Sequence, residues 1–223
     1  MDLKAIIFDM DGVIADTEFV DYGIQTAFVA QERKAAGLEP LEEHDAQGLM
    51  GLSYDALYQK LNELSGSACP VSRTRDRFAE FDATAREHLD YGALFRHGTV
   101  DILDWADERG IACAVASSSA RAHIKEVLSA CGVLERFVHL ESGESLAESK
   151  PNPEIYLRAL AHLGVRANET VAIEDSEHGI AAARAAGIFC IGYRETRVPL
   201  DQSAANELVD DMAGALQVLK QLV

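Results

Sequence analysis

The sequence predicts an α/β protein with a doubly wound parallel sheet and a helical insert. The first observation is that short apolar runs, rich in β-branched residues, alternate with helix-like stretches through the C-terminal two thirds of the chain. The second is that residues 18–93 contain no convincing strand, whereas their apolar spacing is helical. The alternation is typical of βαβ units, which form parallel sheets, and the insert interrupts it once.

The first predicted strand is the apolar run at residues 3–8, and two carboxylates follow it as Asp9 and Asp11. Ligands bind at the carboxyl ends of strands in open α/β sheets, so this turn is a place for chemistry. Because Asp9 and Asp11 are two residues apart on a tight turn, their side chains can converge on one metal ion or phosphoryl group. Gly12 lets the backbone come close to such a ligand. A calcium-binding loop also begins with spaced aspartates, but the Gly and Glu that it needs further on are absent.

Four more strands are predicted from short apolar runs, at residues 111–116, 137–140, 170–173 and 188–191. Helices are predicted between them, at about residues 99–109, 120–131, 153–164 and 177–186. Glycines stand where these helices are expected to end, namely Gly110, Gly132, Gly164 and Gly187. This order of strands and helices predicts crossover connections between parallel strands.

The insert at residues 18–93 is predicted to be helical. Its apolar side chains recur at helical spacing, as at Val20, Ile24 and Phe28. Residues 32–45 are charged and include a Gly and a Pro, so we interpret them as a connection between helices. The sequence therefore predicts a sheet domain from residues 1–17 and 94–223, and a helical domain from residues 18–93.

The composition excludes several classes of protein. The 223 residues are 48% hydrophobic, enough to bury a full core, and the formal net charge of −17 repels nucleic acid and anionic membranes. The chain shows neither a secretory leader nor an apolar run near the roughly 20 residues that span a bilayer, which favours a cytoplasmic location. The cysteines are scattered and predict neither a zinc site nor disulfides: Cys69, Cys113, Cys131 and Cys190. The oligomeric state is left open.

Polar residues also follow three later predicted strands. Ser117 and Ser118 offer hydroxyl and backbone N–H groups that suit phosphate oxygens. Lys150 precedes a helix opened by Pro and supplies a positive charge, whereas Glu174 and Asp175 are adjacent acids whose repulsion water or a metal must offset. Each has a structural interpretation: a helix cap, a solvated lysine, a helix-initiating acid. Their order at successive strand ends favours one common site.

Four ordered motifs make the whole chain resemble the haloacid dehalogenase-like superfamily of phosphotransferases and hydrolases. The motifs are residues 9–13 (DMDGV), Ser117, residues 150–153 (KPNP) and residues 174–176 (EDS), followed by a helix at 179–187. The resemblance implies a Rossmann-like doubly wound core with an inserted helical cap domain. It also implies the branch that includes β-phosphoglucomutases and many sugar-phosphate phosphatases.

The resemblance implies a catalytic role for each matching residue. Asp9 is expected to attack phosphorus and form an aspartyl-phosphate, while Asp11 protonates the leaving oxygen and later deprotonates water. Ser117 and the Ser118 N–H are expected to bind the phosphoryl oxygens. Lys150 is expected to offset the charges of Asp9 and the phosphate.

The implied cofactor is Mg²⁺. The resemblance assigns the ion to the Asp9 carboxylate, the Asp11 backbone carbonyl and Asp175, with Glu174 acting through a bound water. All of these ligands are oxygen atoms, which suit a hard cation.

The cap loop is expected to select the substrate through Gly51, Ser53 and Tyr54. β-Phosphoglucomutases carry a Lys just before the matching Gly and an Arg just after the matching Ser, where this chain has Met50 and Tyr54. A second phosphate then lacks charge-assisted hydrogen bonds, although another basic cap residue such as Arg75 or Lys60 could substitute.

The resemblance therefore implies an enzyme, and the missing charges favour a Mg²⁺-dependent phosphatase. Its expected partner is a small phosphorylated metabolite, with a sugar phosphate favoured. A β-phosphoglucomutase-type phosphomutase is the main alternative. A non-catalytic, phosphate-responsive binding protein is the other, because fold and site do not guarantee turnover.

Overall fold

The computed structural model describes residues 1–49, 52, 54–197 and 200–223. Within these residues the sheet strands are β1 Ala5–Phe8, β2 Ala112–Ser117, β3 His139–Ser142, β4 Thr170–Glu174, β5 Phe189–Tyr193 and β6 Glu207–Val209. The α-helices of the described residues are α1 Glu18–Ala35, α2 Glu43–Ala46, α3 Tyr54–Leu64, α4 Val71–Arg86, α5 Gly98–Asp107, α6 Arg121–Ala130, α7 Glu154–Leu163, α8 Glu177–Ala185 and α9 Met212–Leu222. Shorter 3₁₀ turns lie at Gln47–Leu49, Tyr91–Leu94, Leu134–Arg136, Gly143–Ser145 and Ala167–Glu169.

Neighbouring strands of the sheet run parallel, in the order β3-β2-β1-β4-β5-β6. All of β1 is buried, as expected for a central parallel strand covered on both faces. Its last residue, Phe8, lies opposite Val115 of β2 and Ile173 of β4. The chain therefore leaves these three strands at one edge of the sheet. The predicted fold class, a Rossmann-like doubly wound parallel sheet with a helical insert, is confirmed.

Helix α7 shows how the sheet is covered. Its residues Ile155, Tyr156 and Ala159 are buried at helical spacing and join the core cluster that includes Ile7 of β1. The helix ends at Gly164, whose φ of +67° is the left-handed conformation that glycine adopts readily. The predicted helix end at this glycine is confirmed.

The third strand begins later than the sequence predicts. The strand expected at residues 137–140 is observed as β3, at His139–Ser142. Phe137 instead packs its ring edge-on against Phe8, with ring centroids 5.7 Å apart. The apolar character of Phe137 therefore reflects ring packing rather than strand pairing.

Helix α1 extends further than predicted. It continues through Ala35, so the interpretation of residues 32–45 as a connection is wrong for their first part, and α2 lies within the same stretch. The reason is packing between helices. Glu32 is buried and accepts a hydrogen bond of 2.6 Å from Arg77 of α4, so a charged residue belongs to the helix contact.

Contacts divide the chain into two compact units. Met1–Asp16 with Tyr91–Val223 is called the core unit, and Thr17–Asp90 is called the helical unit. The helical unit has its own buried cluster, which includes Phe28, Leu61 and Phe78. Its function as a cap domain with the bounds 18–93 stays a prediction. In the described part of the chain, no helix is long and apolar enough to cross a membrane.

Candidate active site

Strand β1 delivers Asp9 to the carboxyl edge of the sheet. The Asp9 N–H donates to the Ile173 carbonyl of β4 (2.9 Å), which extends the hydrogen bonds of the sheet one residue beyond β1. The buried carboxylate accepts a hydrogen bond from Lys150, with Nζ 2.7 Å from Oδ1. Burial raises the pKa of the Asp9 carboxyl well above its ordinary range; the Lys150 charge opposes this rise, and the charges of Glu174 and Asp11 add to it.

The Lys150 ammonium is buried among three acceptors. Besides Asp9, it donates to Glu174 Oε1 (2.7 Å) and to the Ala116 carbonyl (3.0 Å). Burial lowers the pKa of Lys150, but the charges of Asp9 and Glu174 outweigh burial and hold the pKa above its ordinary value. The lysine therefore stays protonated and tethers the ends of β1, β2 and β4 to one another.

Glu174, the last residue of β4, is fully buried, and two donors hold its Oε1 oxygen. Its Oε1 accepts a hydrogen bond from Lys150 and another from the Tyr156 hydroxyl of α7, 2.6 Å away. Burial raises the pKa of Tyr156 well above its ordinary value, and the Glu174 charge adds to the rise, so the hydroxyl keeps its proton and donates it. Sequence reasoning missed Tyr156. Its one signal is a hydroxyl-bearing side chain on the apolar face of a helix.

Two glycines make room for the carboxylates. Gly12 has a φ of +79°, and a Cβ built on it would lie 1.8 Å from Asp175 Oδ2. A Cβ on Gly179 of α8 would lie 2.0 Å from Glu174 Oε2. A side chain at either position would occupy the space of a carboxylate, so both positions require glycine. The sequence predicts that Gly12 lets the backbone come close to a ligand. In the structure, the backbone at Gly12 lies close to the Asp175 carboxylate.

The buried carboxylates Asp9, Glu174 and Asp175 form a group that could hold a metal ion. One oxygen from each lies within 4.8 Å of the others, and among the described residues no other group of His, Cys, Asp and Glu side chains meets that geometry. Asp9 and Glu174 share the ammonium of Lys150, and Asp175 adds a third buried carboxylate, so the group concentrates negative charge at a place that favours a cation. The all-oxygen donor set fits a hard cation such as Mg²⁺.

The backbone of Asp175 has its own support. The side chain of Gln202 donates from Nε2 to the Asp175 carbonyl and to the Tyr193 carbonyl, the latter at 2.7 Å. Gln202 is buried. Sequence reasoning missed it because it lies outside every predicted strand, helix and motif.

Asp11 lies on the same turn as Asp9, in a more exposed position, and serines after β2 contact it. Ser119 Oγ donates to Asp11 Oδ2 at 2.9 Å, and Ser117 Oγ donates to the same oxygen at 3.3 Å. Ser117 Oγ also accepts from the Ser119 N–H (3.1 Å). Helix α6 has Ala120 at its N-cap, so the interpretation of these serines as a simple helix cap is wrong. Ser119 is a further residue that sequence reasoning did not select.

Ser118 lies between these two serines and is held by backbone packing. A Cβ built on Gly143 would lie 3.0 Å from Ser118 Cα. The loop after β2 is therefore pressed against the turn at Gly143–Ser145. The binding of phosphate by Ser117 and the Ser118 N–H stays a prediction.

The predicted specificity loop is described only in part. Gly51 and Ser53 lie outside the described residues, as does Met50. Tyr54 opens α3 with half of its surface exposed, and its ring stacks on Tyr58 with centroids 6.2 Å apart. The selection of substrate by this loop stays a prediction.

Strand β1 leads directly into Asp9, and a buried lysine from the segment before α7 and two acids at the end of β4 lie beside it, so the chain is an α/β protein with an acidic site at the carboxyl edge of its sheet. The model of the haloacid dehalogenase-like hydrolases matches residues 6–193. The chain therefore belongs to the haloacid dehalogenase-like hydrolase family, which confirms the resemblance seen in the four motifs.

Individual relatives within the family indicate the class of reaction. The chain is 30% identical to protein CbbY of Rhodobacter capsulatus over 242 aligned residues that span 100% of both chains. It is 23% identical to phosphoglycolate phosphatase of Pseudomonas fluorescens over 94% of this chain and 77% of that protein. The structure of β-phosphoglucomutase from Clostridium difficile shares the fold, with a TM-score of 0.80, 22% identity and coverage of 99% and 96%. The chain thus falls among the phosphoric monoester hydrolases of the family.

Proposed function

We propose that the protein is a Mg²⁺-dependent phosphatase that hydrolyses a small phosphorylated metabolite, with a sugar phosphate favoured, through an aspartyl-phosphate intermediate. The observation that carries the proposal is the buried pair of Asp9 and Lys150 beside Glu174 and Asp175. A carboxylate held by one cation, next to oxygen ligands for another, is suited to meet a phosphate dianion. The positive charges offset the repulsion between two anions that must come into contact.

In the first step Asp9 is the nucleophile. A carboxylate oxygen forms a bond to phosphorus while the bond between phosphorus and the ester oxygen of the substrate breaks. Lys150 holds Asp9 Oδ1 at 2.7 Å and so fixes the direction of the carboxylate. Asp11, in its protonated form, gives its proton to the departing oxygen, which leaves as an alcohol.

In the second step Asp11 is the general base. Its carboxylate takes a proton from water, the water oxygen attacks phosphorus, and the bond between phosphorus and Asp9 breaks to release inorganic phosphate. Ser119, at 2.9 Å, directs the Asp11 carboxylate toward this edge of the sheet. We assign the Ser117 hydroxyl and the Ser118 N–H to the phosphoryl oxygens, so that Ser117 exchanges its contact with Asp11 for one with substrate.

The donor set of the cluster supports Mg²⁺ as the cofactor. When bound, the ion neutralises negative charge on the transferring group. Asp9 and Asp175 would hold it together with the Asp11 carbonyl. Glu174 Oε1 is already engaged by Lys150 and Tyr156, which supports an indirect role for Glu174 through water.

We assign the choice of substrate to the helical unit, acting as a cap domain. Met50 and Tyr54 replace the two cations that mutases place on the cap loop. Lys60, a candidate replacement, already shares its charge with Glu63 at 3.3 Å. The loss of the two cap-loop cations supports hydrolysis over transfer to a second position of a bisphosphate, because a second phosphate needs charge-assisted hydrogen bonds.

The test is release of phosphate from 4-nitrophenyl phosphate and then from a panel of phosphorylated metabolites, with and without Mg²⁺. We expect a chelator to abolish release, Mg²⁺ to restore it, and Asp175→Asn to stay impaired at high Mg²⁺. Asp101→Asn, at an exposed acid of α5, is the matched control and should retain activity. Full activity in excess chelator would overturn the metal assignment. Phosphate binding without turnover would establish the binding-protein alternative.

The mutase alternative has its own measurement. Supplied with β-glucose 1-phosphate and a catalytic amount of glucose 1,6-bisphosphate, the protein should release free phosphate and form little glucose 6-phosphate. Rapid isomerisation with little phosphate release would replace the phosphatase proposal with the mutase.

A further inference from the structure

We propose that Arg96, an arginine outside the four motifs, is a positioning residue that holds the turn bearing Asp11 in place for acid–base catalysis. The inference rests on the proposed function, because it concerns the step assigned to Asp11. Arg96 lies in the core unit, shortly after the chain has returned from the helical unit.

Three donor nitrogens of Arg96 reach the loop after β1, at Gly12 and Asp16, and Tyr193 of β5. Nε donates to the Gly12 carbonyl (2.9 Å), Nη1 to the Tyr193 hydroxyl (2.9 Å) and Nη2 to Asp16 Oδ1 (3.0 Å). The guanidinium carbon also lies 4.3 Å from the centroid of the Tyr193 ring. The side chain is only 19% exposed, so water competes weakly for these contacts.

The two aspartates of the site depend on this arginine to different extents. Asp9 is anchored independently, through its N–H in the sheet and its carboxylate on Lys150. Ser119 and Ser117 hold the side chain of Asp11. Its backbone directly precedes Gly12, and the carbonyl of Gly12 is the group that Arg96 holds. Loss of Arg96 should therefore displace Asp11 while Asp9 keeps its position.

A second arginine fixes Arg96 in turn. Arg197 donates to both carboxylate oxygens of Asp16, at 2.8 and 3.0 Å, and also to Glu195. Hydrogen bonds from Arg197 hold the pKa of the Glu195 carboxyl below its ordinary value, so Glu195 stays charged and keeps Arg197 in place. Asp16, held from two sides, sets the direction in which Arg96 presents Nε to Gly12.

The geometry requires an arginine rather than any cation. A lysine has one nitrogen on a flexible stem and cannot bridge the Gly12 carbonyl, the Tyr193 hydroxyl and Asp16 at once. Arg96→Lys should therefore keep the charge and lose most of the positioning. Arg96→Met should lose both.

The experiment compares two substrates in Arg96→Met. Nitrophenolate leaves without a proton, whereas the alcohol of an alkyl phosphate needs one from Asp11. We expect turnover of the alkyl phosphate to fall on the order of a hundredfold, the effect of a misplaced catalytic group. Acid-trapped phosphoenzyme should still form from 4-nitrophenyl phosphate, and its steady-state fraction should rise because its hydrolysis needs Asp11. Arg96→Lys should fall between Arg96→Met and the wild type.

Arg109→Met is the matched control. Arg109 is also an arginine of the core unit stacked on an aromatic ring, 4.9 Å from the centroid of Trp105, and its hydrogen bonds go to the Trp105 carbonyl and to Glu108. It should match the wild type with both substrates. If Arg96→Met does not fold, the two substrates are compared in Arg96→Lys and in Tyr193→Phe instead.

An equal loss with both substrates, without a rise in trapped phosphoenzyme, would overturn the inference, and so would wild-type behaviour of Arg96→Met. Absence of phosphoenzyme both in the wild type and in Asp11→Asn, which cannot hydrolyse it, is a different result. It would overturn the proposed function and the inference together.

Discussion

Buried charge is arranged differently in the two units. In the core unit, the buried carboxylates of Asp9 and Glu174 share the ammonium of Lys150, and buried Asp175 completes the acidic group. In the helical unit, buried Glu32 is matched by Arg77 at 2.6 Å. A matched pair needs nothing further, whereas an excess of buried charge opposes folding and persists where a cation or substrate uses it. The difference separates a candidate site from a structural ion pair by charge balance alone.

The largest effect on activity is expected at the two aspartates of the first turn. Asp9→Asn should lower phosphatase activity by about a thousandfold or more, because the nucleophile is lost, and should abolish acid-stable phosphoenzyme. Asp11→Asn should still form phosphoenzyme from a good leaving group and fail in its hydrolysis. Equal residual activity of both variants, whatever the leaving group, would contradict these roles.

Asp9→Asn also tests whether the negative charge of the buried acidic group opposes folding. Removing one acid from an over-acidic buried cluster should leave the free energy of unfolding in chelator unchanged or increased, despite the loss of activity. Urea unfolding of the wild type and of Asp9→Asn measures this. A marked loss of stability would mean that Asp9 serves the fold.

The next largest effect is expected at Lys150. Lys150→Met removes the cation and leaves carboxylates uncompensated, so it should reduce the free energy of unfolding by about 3–5 kcal/mol and activity by about 10²–10³. Lys125→Met, at an exposed lysine of α6, is the control and should change neither. Urea unfolding and phosphate release supply the two readouts. Near-normal activity in a folded Lys150→Met protein would be inconsistent with the proposed site.

Tyr156→Phe tests how much the Tyr156 hydroxyl contributes to the acidic group of the core unit. It removes one donor to Glu174 while Lys150 remains, so stability should fall by about 2 kcal/mol, and more Mg²⁺ should be needed for half-maximal activity. Tyr58→Phe, at a half-buried tyrosine of the helical unit, is the control and should leave the Mg²⁺ requirement alone. An unchanged Mg²⁺ requirement in Tyr156→Phe would show that the hydroxyl only packs.

The smallest effect is expected at the matched pair of the helical unit. A double-mutant cycle of Glu32→Gln and Arg77→Met should give a coupling energy of about 1 kcal/mol, because Arg77 is half exposed. The turnover number should not change in any of the three variants. The exposed pair of Lys60 and Glu63 is the reference and should give about 0.3–0.5 kcal/mol. A large loss of turnover in Glu32→Gln would place this pair in the functional site.

The parts of the fold that sequence predicts are those with strong local patterns. The first strand, the crossover helices and the glycine at Gly164 each follow from apolar periodicity or backbone conformation. The last strand, Glu207–Val209, is too short to have a period, and we made no prediction for it or for the helix that follows it. Such elements depend on the edge of a sheet that is already formed.

The candidate site also contains some residues that the sequence predicts and others that it does not. Asp9 and Asp175 directly follow strands, and Lys150 precedes a helix; all three belong to short-range motifs, so the sequence predicts them. Tyr156 and Gln202 take part because the fold brings a helix face and an irregular segment to the carboxylates. Their contacts span distant parts of the chain, and no local pattern encodes them.

Backbone hydrogen bonds join the two points where the chain leaves and re-enters the core unit, and this has a consequence for the size of the insert. Ala15 bridges Phe95, the Asp16 N–H donates to the Leu94 carbonyl, and both bonds lie within the core unit. The two ends of the insert are therefore already joined, and loop-closure entropy rises by only about 0.6 kcal/mol for each doubling of the inserted length. Inserts of other sizes can therefore be exchanged at this point with little penalty to the sheet.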